Sequence, residues 1–537
     1  MRHFVFTLFV AFLVLEPVRV ERASQHDHES GPSDRMGTVH FDTSCSPEVH
    51  DEFDLAVATL HSFGYRKSAQ LFADVLSKDP KCGMAEWGIA MSHYRQLWDP
   101  PTGDDLRIGL EAAQKGLSIK PTTQRERDYL GAILSFYQGA GSENHNARAK
   151  RYESAMESLY NRYPKDTEAA IFYALSLIAN APLNDKTYAN QRNATQILEP
   201  ILKQQPEHPG LAHYIIHADD NPALAQLALS AAQRYSLIAP DSPHALHMPS
   251  HIFTRLGLWE ESIASNLASA ASARKQELAG DELHALDYLV YAYLQTGRIA
   301  EARKLTQQLP VVEAGDAARY AGLYATAAIP ARYWIERQEW GAAATLPLPL
   351  QNSPEDPYAS TEATLYFARA LGAARFGDIN AAQAAMKPLL SLRDALAKGG
   401  DGDAVQVNIQ LKIVTAWIKW EEGDHSAALQ EMRVAAAMED ATDRSPVSPG
   451  SIAPASEMLG DMLLLAKQPK LALGAYESAL KSTPGRLRAE YGAAVSAQEA
   501  GMRSAAEQHY RRLLTNCRRA DSDLPELARA NQFFGKD

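Results

Sequence analysis

Ala, Leu, Glu, Gln and Arg recur at helical spacing along almost the whole chain, and no stretch alternates apolar and polar residues at the strand period over a useful length. The pattern predicts an all-α protein. Its helices are separated by regular punctuation. Near the C-terminus, "LGDMLLLAKQPKLALGAYESALKSTP" carries Leu459, Gly460, Ala472, Tyr476, Ala479 and Pro484, and 34 residues beyond Ala472 and Tyr476 stand Ala506 and Tyr510. Gly257, Gly297, Gly377, Gly423 and Gly501 each precede a small residue by five positions, at Ser262, Ala302, Ala382, Ala428 and Ala506. A glycine that ends one helix and a small residue that lets the next pack closely describe a recurring helix-turn-helix.

These landmarks resemble those of the tetratricopeptide repeat (TPR): a small residue where two helices cross, an aromatic four later, an alanine three beyond and a closing proline, every 34 residues. The resemblance covers most of residues 49 to 515 and implies a right-handed superhelical solenoid, whose units bury their apolar faces only by stacking. Through "DPKCGMAEWGIAMS" (79–92), "HYIIHA" and "HMPSHIFTRLG", the chain is also similar to a group of exported bacterial TPR proteins. That likeness brings no activity with it. The organisation expected is a signal peptide (1–24), an N-terminal linker (25–48), an N-terminal array (49–345), a Pro-rich break (346–358, ending "LQNSPEDPY"), a C-terminal array (359–520) and a tail (521–537).

In residues 1–24, a short basic start precedes an apolar run from Phe4 to Leu15, too short to cross a bilayer as a helix. An export signal is the reading, so the protein is expected to be periplasmic or secreted. No later segment reaches a membrane-spanning length. Export makes cysteine pairing relevant. Cys45 precedes one expected helix (about 49–63) and Cys82 follows the next (about 66–78), so an antiparallel hairpin brings them together. A Cys45–Cys82 disulfide would contribute about 3–4 kcal/mol in the chain-entropy treatment; two separate buried thiols are the alternative. With 65 acidic and 53 basic side chains, the formal charge of −12 disfavours nucleic acid as a partner.

The candidate chemistry lies in the histidines. "HYIIH" (213–217) and "HMPSH" (247–251) have the same internal spacing, and the two pairs stand 34 residues apart. Pro206 and Pro240 take the closing-proline position of consecutive units, so His213 and His217 fall at positions five and nine of one unit and His247 and His251 at five and nine of the next, with His244 at position two. In the following unit His284, Asp287 and Tyr291 take positions two, five and nine; Asp220 and Thr254 take position twelve of theirs. By resemblance, positions two, five, nine and twelve of the first helix face the concave groove. Helix geometry independently puts residues four apart on one face.

Imidazoles with one or two carboxylates suit a borderline transition metal such as zinc, copper or iron. The metal set expected is His213, His217, His247, His251, His244, His284, Asp287 and Asp220, with Asp220, Asp287 or Tyr291 also able to accept the outer ring proton of a ligating histidine. Storage, structural and catalytic use all stay open; a metal-dependent reaction would have to run at an open coordination position. The alternative is a metal-free scaffold whose groove binds a peptide or protein. Met84, Trp87 and Met91 fall at helical spacing and read as core rather than thioether ligands. His26, His28 and His40 lie in the linker. The chain lacks G-x-S-x-G, the Gly-rich phosphate loops and H-E-x-x-H.

Overall fold

The computed structural model describes residues 34–97, 100–101, 103–121, 123–311, 319–348, 359–399, 403–443 and 447–535. The expected signal peptide, the linker up to residue 33 and most of the Pro-rich break lie outside the described residues. The chain divides into a short unit, Met1–Asp34, and the unit Arg35–Asp537, which contains all the helices of the described residues.

Among the described residues every regular element is a helix. Each packs on its neighbour in sequence and in many cases on the next but one, the contact pattern of a solenoid of helix-turn-helix repeats. The turns explain the punctuation. Gly257, Gly297, Gly377, Gly423 and Gly501 all have positive φ, between 69° and 89°. In each turn the amide after the glycine closes onto a carbonyl five residues back, as from Leu258 to Phe253 or from Met502 to Ala497, both at 2.8 Å. This is the left-handed helix cap that glycine adopts at least cost. The small-residue rule is visible at Tyr476, whose ring lies against Gly460 and Gly492; a Cβ there would stand 2.7 and 2.3 Å from ring carbons.

The hydrophobic core falls into three clusters, running from Met36 to Phe253, from Trp259 to Tyr333 and from Ala328 to Ala530. Ala343, before the Pro-rich stretch, and Leu346, its first residue, share the last cluster with Phe367 and Leu371 beyond it. The core therefore continues across that stretch. Cys45 and Cys82 form a disulfide between the segment before helix His50–His61 and the start of helix Gly83–Tyr94. Met84, Trp87 and Met91 are buried in the first core.

The latter part of the segment read as a linker is instead a docked strap: Met36, Val39 and Phe41 are buried, and Phe41 packs on Phe53, Trp87 and Tyr129 at ring distances of 5.2–5.6 Å. Polar neighbours masked three well-spaced apolar residues. The strap is tied to distant units by Thr38 N–H on the Glu207 carbonyl (2.9 Å) and Arg35 on Asp241 (2.8 Å).

Candidate metal centre

Four helices carry the histidines: Pro209–Asp219, Pro243–His247, Pro249–Arg255 and Ala279–Gln295. Proline opens the first three, where its missing N–H leaves no intrahelical bond unmade. Pro249 interrupts what would otherwise be one helix, yet Met248 stays right-handed (φ −54°, ψ −35°), so His247 and His251 remain on one face.

The six rings meet in two groups. His213, His217 and His244 form one; His247, His251 and His284 form the other; within each group the three ligand nitrogens lie within 4.8 Å of one another. Repeat phase put each i,i+4 pair on one face. The stagger of successive helices then brings position two of the following unit, His244 or His284, onto the pair before it.

Their hydrogen bonds fix where protons sit. His213 Nδ1 lies 2.6 Å from the carbonyl oxygen of His61, which can only accept, so the ring hydrogen is on Nδ1 and Nε2 carries the lone pair. That Nε2 faces His217 Nε2 at 2.9 Å and His244 Nε2 at 3.0 Å. In the second group, His247 Nδ1 donates to Asn266 Oδ1 (2.7 Å), whose amide nitrogen is committed to the Ser262 carbonyl. His251 Nδ1 donates to Asp220 Oδ2 (2.8 Å), and Arg255 holds the other oxygen of that carboxylate. The Nε2 atoms of His247 and His251, both lone-pair acceptors, therefore face each other at 2.9 Å.

Two lone pairs at that distance repel unless a cation lies between them. A proton is the poor choice here, because burial pushes His247 down to about 4 and His251 well below its ordinary value, with His247 adding to the shift on His251. His213, His217, His244 and His284 are all driven the same way, by burial first and by neighbouring imidazoles second. His284 also leaves Nδ1 buried without a hydrogen-bond partner. A tetrahedral ion about 2.0–2.1 Å from each nitrogen spaces its ligands about 3.3 Å apart, so the observed contacts need to open by only a few tenths of an ångström.

The carboxylates take other places. Asp220 is an orienting partner, through His251. Asp287 is not in either group: both its oxygens are held by Arg332, at 3.1 and 3.3 Å, with both side chains fully buried. Tyr291 stands with Arg332 and Arg486 instead of the imidazoles. The reason is that the C-terminal part of the chain covers this stretch, Arg332 donating also to the Gly450 carbonyl (3.0 Å) and Arg486 lying on Glu457 and Glu336.

Several contributors escaped the repeat arithmetic. Phe63 lies over the first group, its ring centroid 4.4 Å from His213, 5.3 Å from His244 and 5.5 Å from His217. It occupies the turn position that glycine takes in the five turns above, and that Glu277, Gln338 and Lys467 take in three others, with φ 56°, and closes the same turn through Gly64 N–H to the Thr59 carbonyl (3.0 Å). Tyr288, one turn after His284, lies 4.8 Å from both His247 and His251. The only available signal was its spacing from His284.

A third buried group, His61, Glu168 and His208, lies behind the first. Glu168 accepts from His61 Nε2 (2.9 Å) and His208 Nε2 (2.8 Å), while His61 Nδ1 meets Tyr214 OH (2.9 Å). A Cβ on Gly210 would stand 2.6 Å from His61 Nδ1, so glycine there is what lets the His61 ring and the helix Pro209–Asp219 approach.

A cavity of about 160 Å³ reaches His217, and is also lined by Asp220, Asn221 and Asp443. Those last three residues also line a second cavity of about 340 Å³, together with Lys186, Arg255 and Lys481. No helix among the described residues is long and apolar enough to cross a membrane.

No family model matches the sequence, and no curated protein matches it. Three solved structures are similar in outline. A human IFIT1 dimer with m7Gppp-AAAA aligns at 12% identity and TM-score 0.33, over 85% of this chain and 90% of that one. The APC/C hetero-tetramer Cut9-Hcn1 aligns at 13% and 0.32, over 90% of each chain. Naa15/Naa10 bound to HypK-THB aligns at 13% and 0.19, over 87% and 75%. At these scores the architecture rests on the chain's own helices and turns.

Proposed function

We propose that this protein binds a transition metal, zinc, copper or iron, through His213, His217, His244, His247, His251 and His284. The observation that carries the reading is the pair His247 and His251: each commits its Nδ1 hydrogen outward, to Asn266 and Asp220, and so presents a bare Nε2 to the other at 2.9 Å. Outward acceptors that fix tautomer and ring direction are what ligating histidines ordinarily have. The same logic holds at His213 through the His61 carbonyl. Neutral imidazole donors suit all three metals. With residues 1–24 taken as an export signal, the proposal is of an exported metal protein.

The metal-free scaffold fares less well at this place. Two of the expected groove positions, Asp287 and Tyr291, are buried against Arg332 and Arg486 of the same chain and so are not offered to a peptide. The test is elemental analysis of untagged protein purified without chelator, before and after exposure to zinc or copper salts and dialysis. Near-stoichiometric or higher metal is expected, falling to background in a His213→Ala, His247→Ala double variant with unchanged far-UV circular dichroism. Background metal in the unmodified protein under both conditions would overturn the proposal.

A further inference from the structure

Resting on that reading, the geometry points to two metal ions side by side, each held by three imidazoles, with room for a small anion between them. The six ligand nitrogens form two sets, not one. A single octahedral ion would need all six within about 4.2 Å of one another, twice the usual metal–nitrogen distance. Only the sets His213/His217/His244 and His247/His251/His284 are drawn together in this way, each within 4.8 Å. The sets are nevertheless neighbours. His217 and His251 have ring centroids 6.2 Å apart, His244 and His247 6.4 Å apart, against 4.3–6.2 Å between rings of the same set. Three protein ligands leave a fourth position open on each ion, and paired ions commonly bridge through a shared ligand at such positions.

Charge gives the bridging ligand its sign. Neither set contains a carboxylate, and the nearest, Asp220, is already paired with Arg255. Two divalent ions would thus enter a buried site with no counter-charge from their own ligands. An incoming anion supplies it. The cavity at His217 gives access, and it shares Asp220, Asn221 and Asp443 with a larger cavity whose lining mixes both signs, Lys186 being paired with Asp443 and Arg255 with Asp220, so the pull on the anion comes from the ions and not from the route.

The experiment is a titration of the full chain with Cu(II), followed by dialysis, metal analysis, electron paramagnetic resonance and addition of azide as the probe anion. Two coppers per chain are expected, with the resonance signal well below one spin per copper, because adjacent ions couple, and with an azide-dependent charge-transfer band. His284→Ala, or the milder His284→Gln should the first fail to fold, is expected to retain one copper with a full, uncoupled signal. One copper in the unmodified protein would overturn the pair while leaving the single-metal reading intact. None would overturn the metal reading itself. Two coppers with a full signal, or two coppers indifferent to azide, would overturn the shared anion site.

Discussion

His61, Glu168 and His208 are as deeply buried as the six-histidine cluster a few residues away, yet the two regions behave oppositely. In the first, a carboxylate sits between two rings and accepts from the Nε2 of both, at 2.9 and 2.8 Å, so those two nitrogens are paired within the group, although His208 Nδ1 is left buried without a hydrogen-bond partner. In the second, His213, His247 and His251 turn their Nδ1 hydrogens outward, and the Nε2 lone pairs of His247 and His251 point at each other. Both are buried; the first has a carboxylate among its rings and the second has none. A buried polar group that closes on itself holds the fold together, whereas one that leaves acceptors facing inward is built to be completed by something else. Asp287 with Arg332 belongs to the first kind, although its neighbour His284, three residues away, belongs to the second.

Each way of breaking this contrast has a distinct readout. The largest effect is on metal: the His213→Ala, His247→Ala variant is expected to lose essentially all bound ion, and retention of the unmodified content would place the ion elsewhere. Next comes Asp287→Ala, which strands Arg332 in the interior. It is expected to lower unfolding free energy by about 3–5 kcal/mol in urea denaturation, with metal per folded chain unchanged. Loss of metal without loss of stability would move Asp287 into the centre. Glu168→Ala removes the acceptor of two rings at once and is expected to cost about 2–6 kcal/mol, at about 1–3 for each buried donor left unpaired. Should it instead strip metal at undiminished stability, the contrast between the two regions fails.

The smallest effect is on pH, in metal-free protein. The native state holds these rings neutral, His247 down to about 4 where the ordinary value is 6.5. Below about 6.5 the unfolded chain therefore takes up more protons than the folded one, so stability is full above that pH and falls as pH drops towards 4. Thermal melts from about pH 7.5 to about pH 5 should show the midpoint declining, and metal should flatten that decline. A midpoint that rises on acidification would contradict the neutral-ring description.

The legible part of the sequence is the part that repeats. The five glycines read as turns all have the left-handed backbone, whereas the same cap at Phe63, Glu277, Gln338 and Lys467 carries no glycine and left no such mark. The in-phase histidine pairs came from the same arithmetic. Contacts made between distant segments were not legible. Nothing local announced that Arg332 and Arg486 would reach back to Asp287 and Tyr291, or that Met36, Val39 and Phe41 would dock as a strap. His61 contributes to the first centre through its backbone carbonyl, which no side-chain pattern encodes.

The most direct test is a crystal of the full chain grown with the metal it retains, with anomalous diffraction recorded on both sides of that element's absorption edge. Strong difference peaks are expected between the ring nitrogens of His213, His217 and His244 and between those of His247, His251 and His284, with none at His61, Glu168 and His208. A peak at the latter group, or no peak at either histidine set in protein that contains stoichiometric metal, would contradict the account.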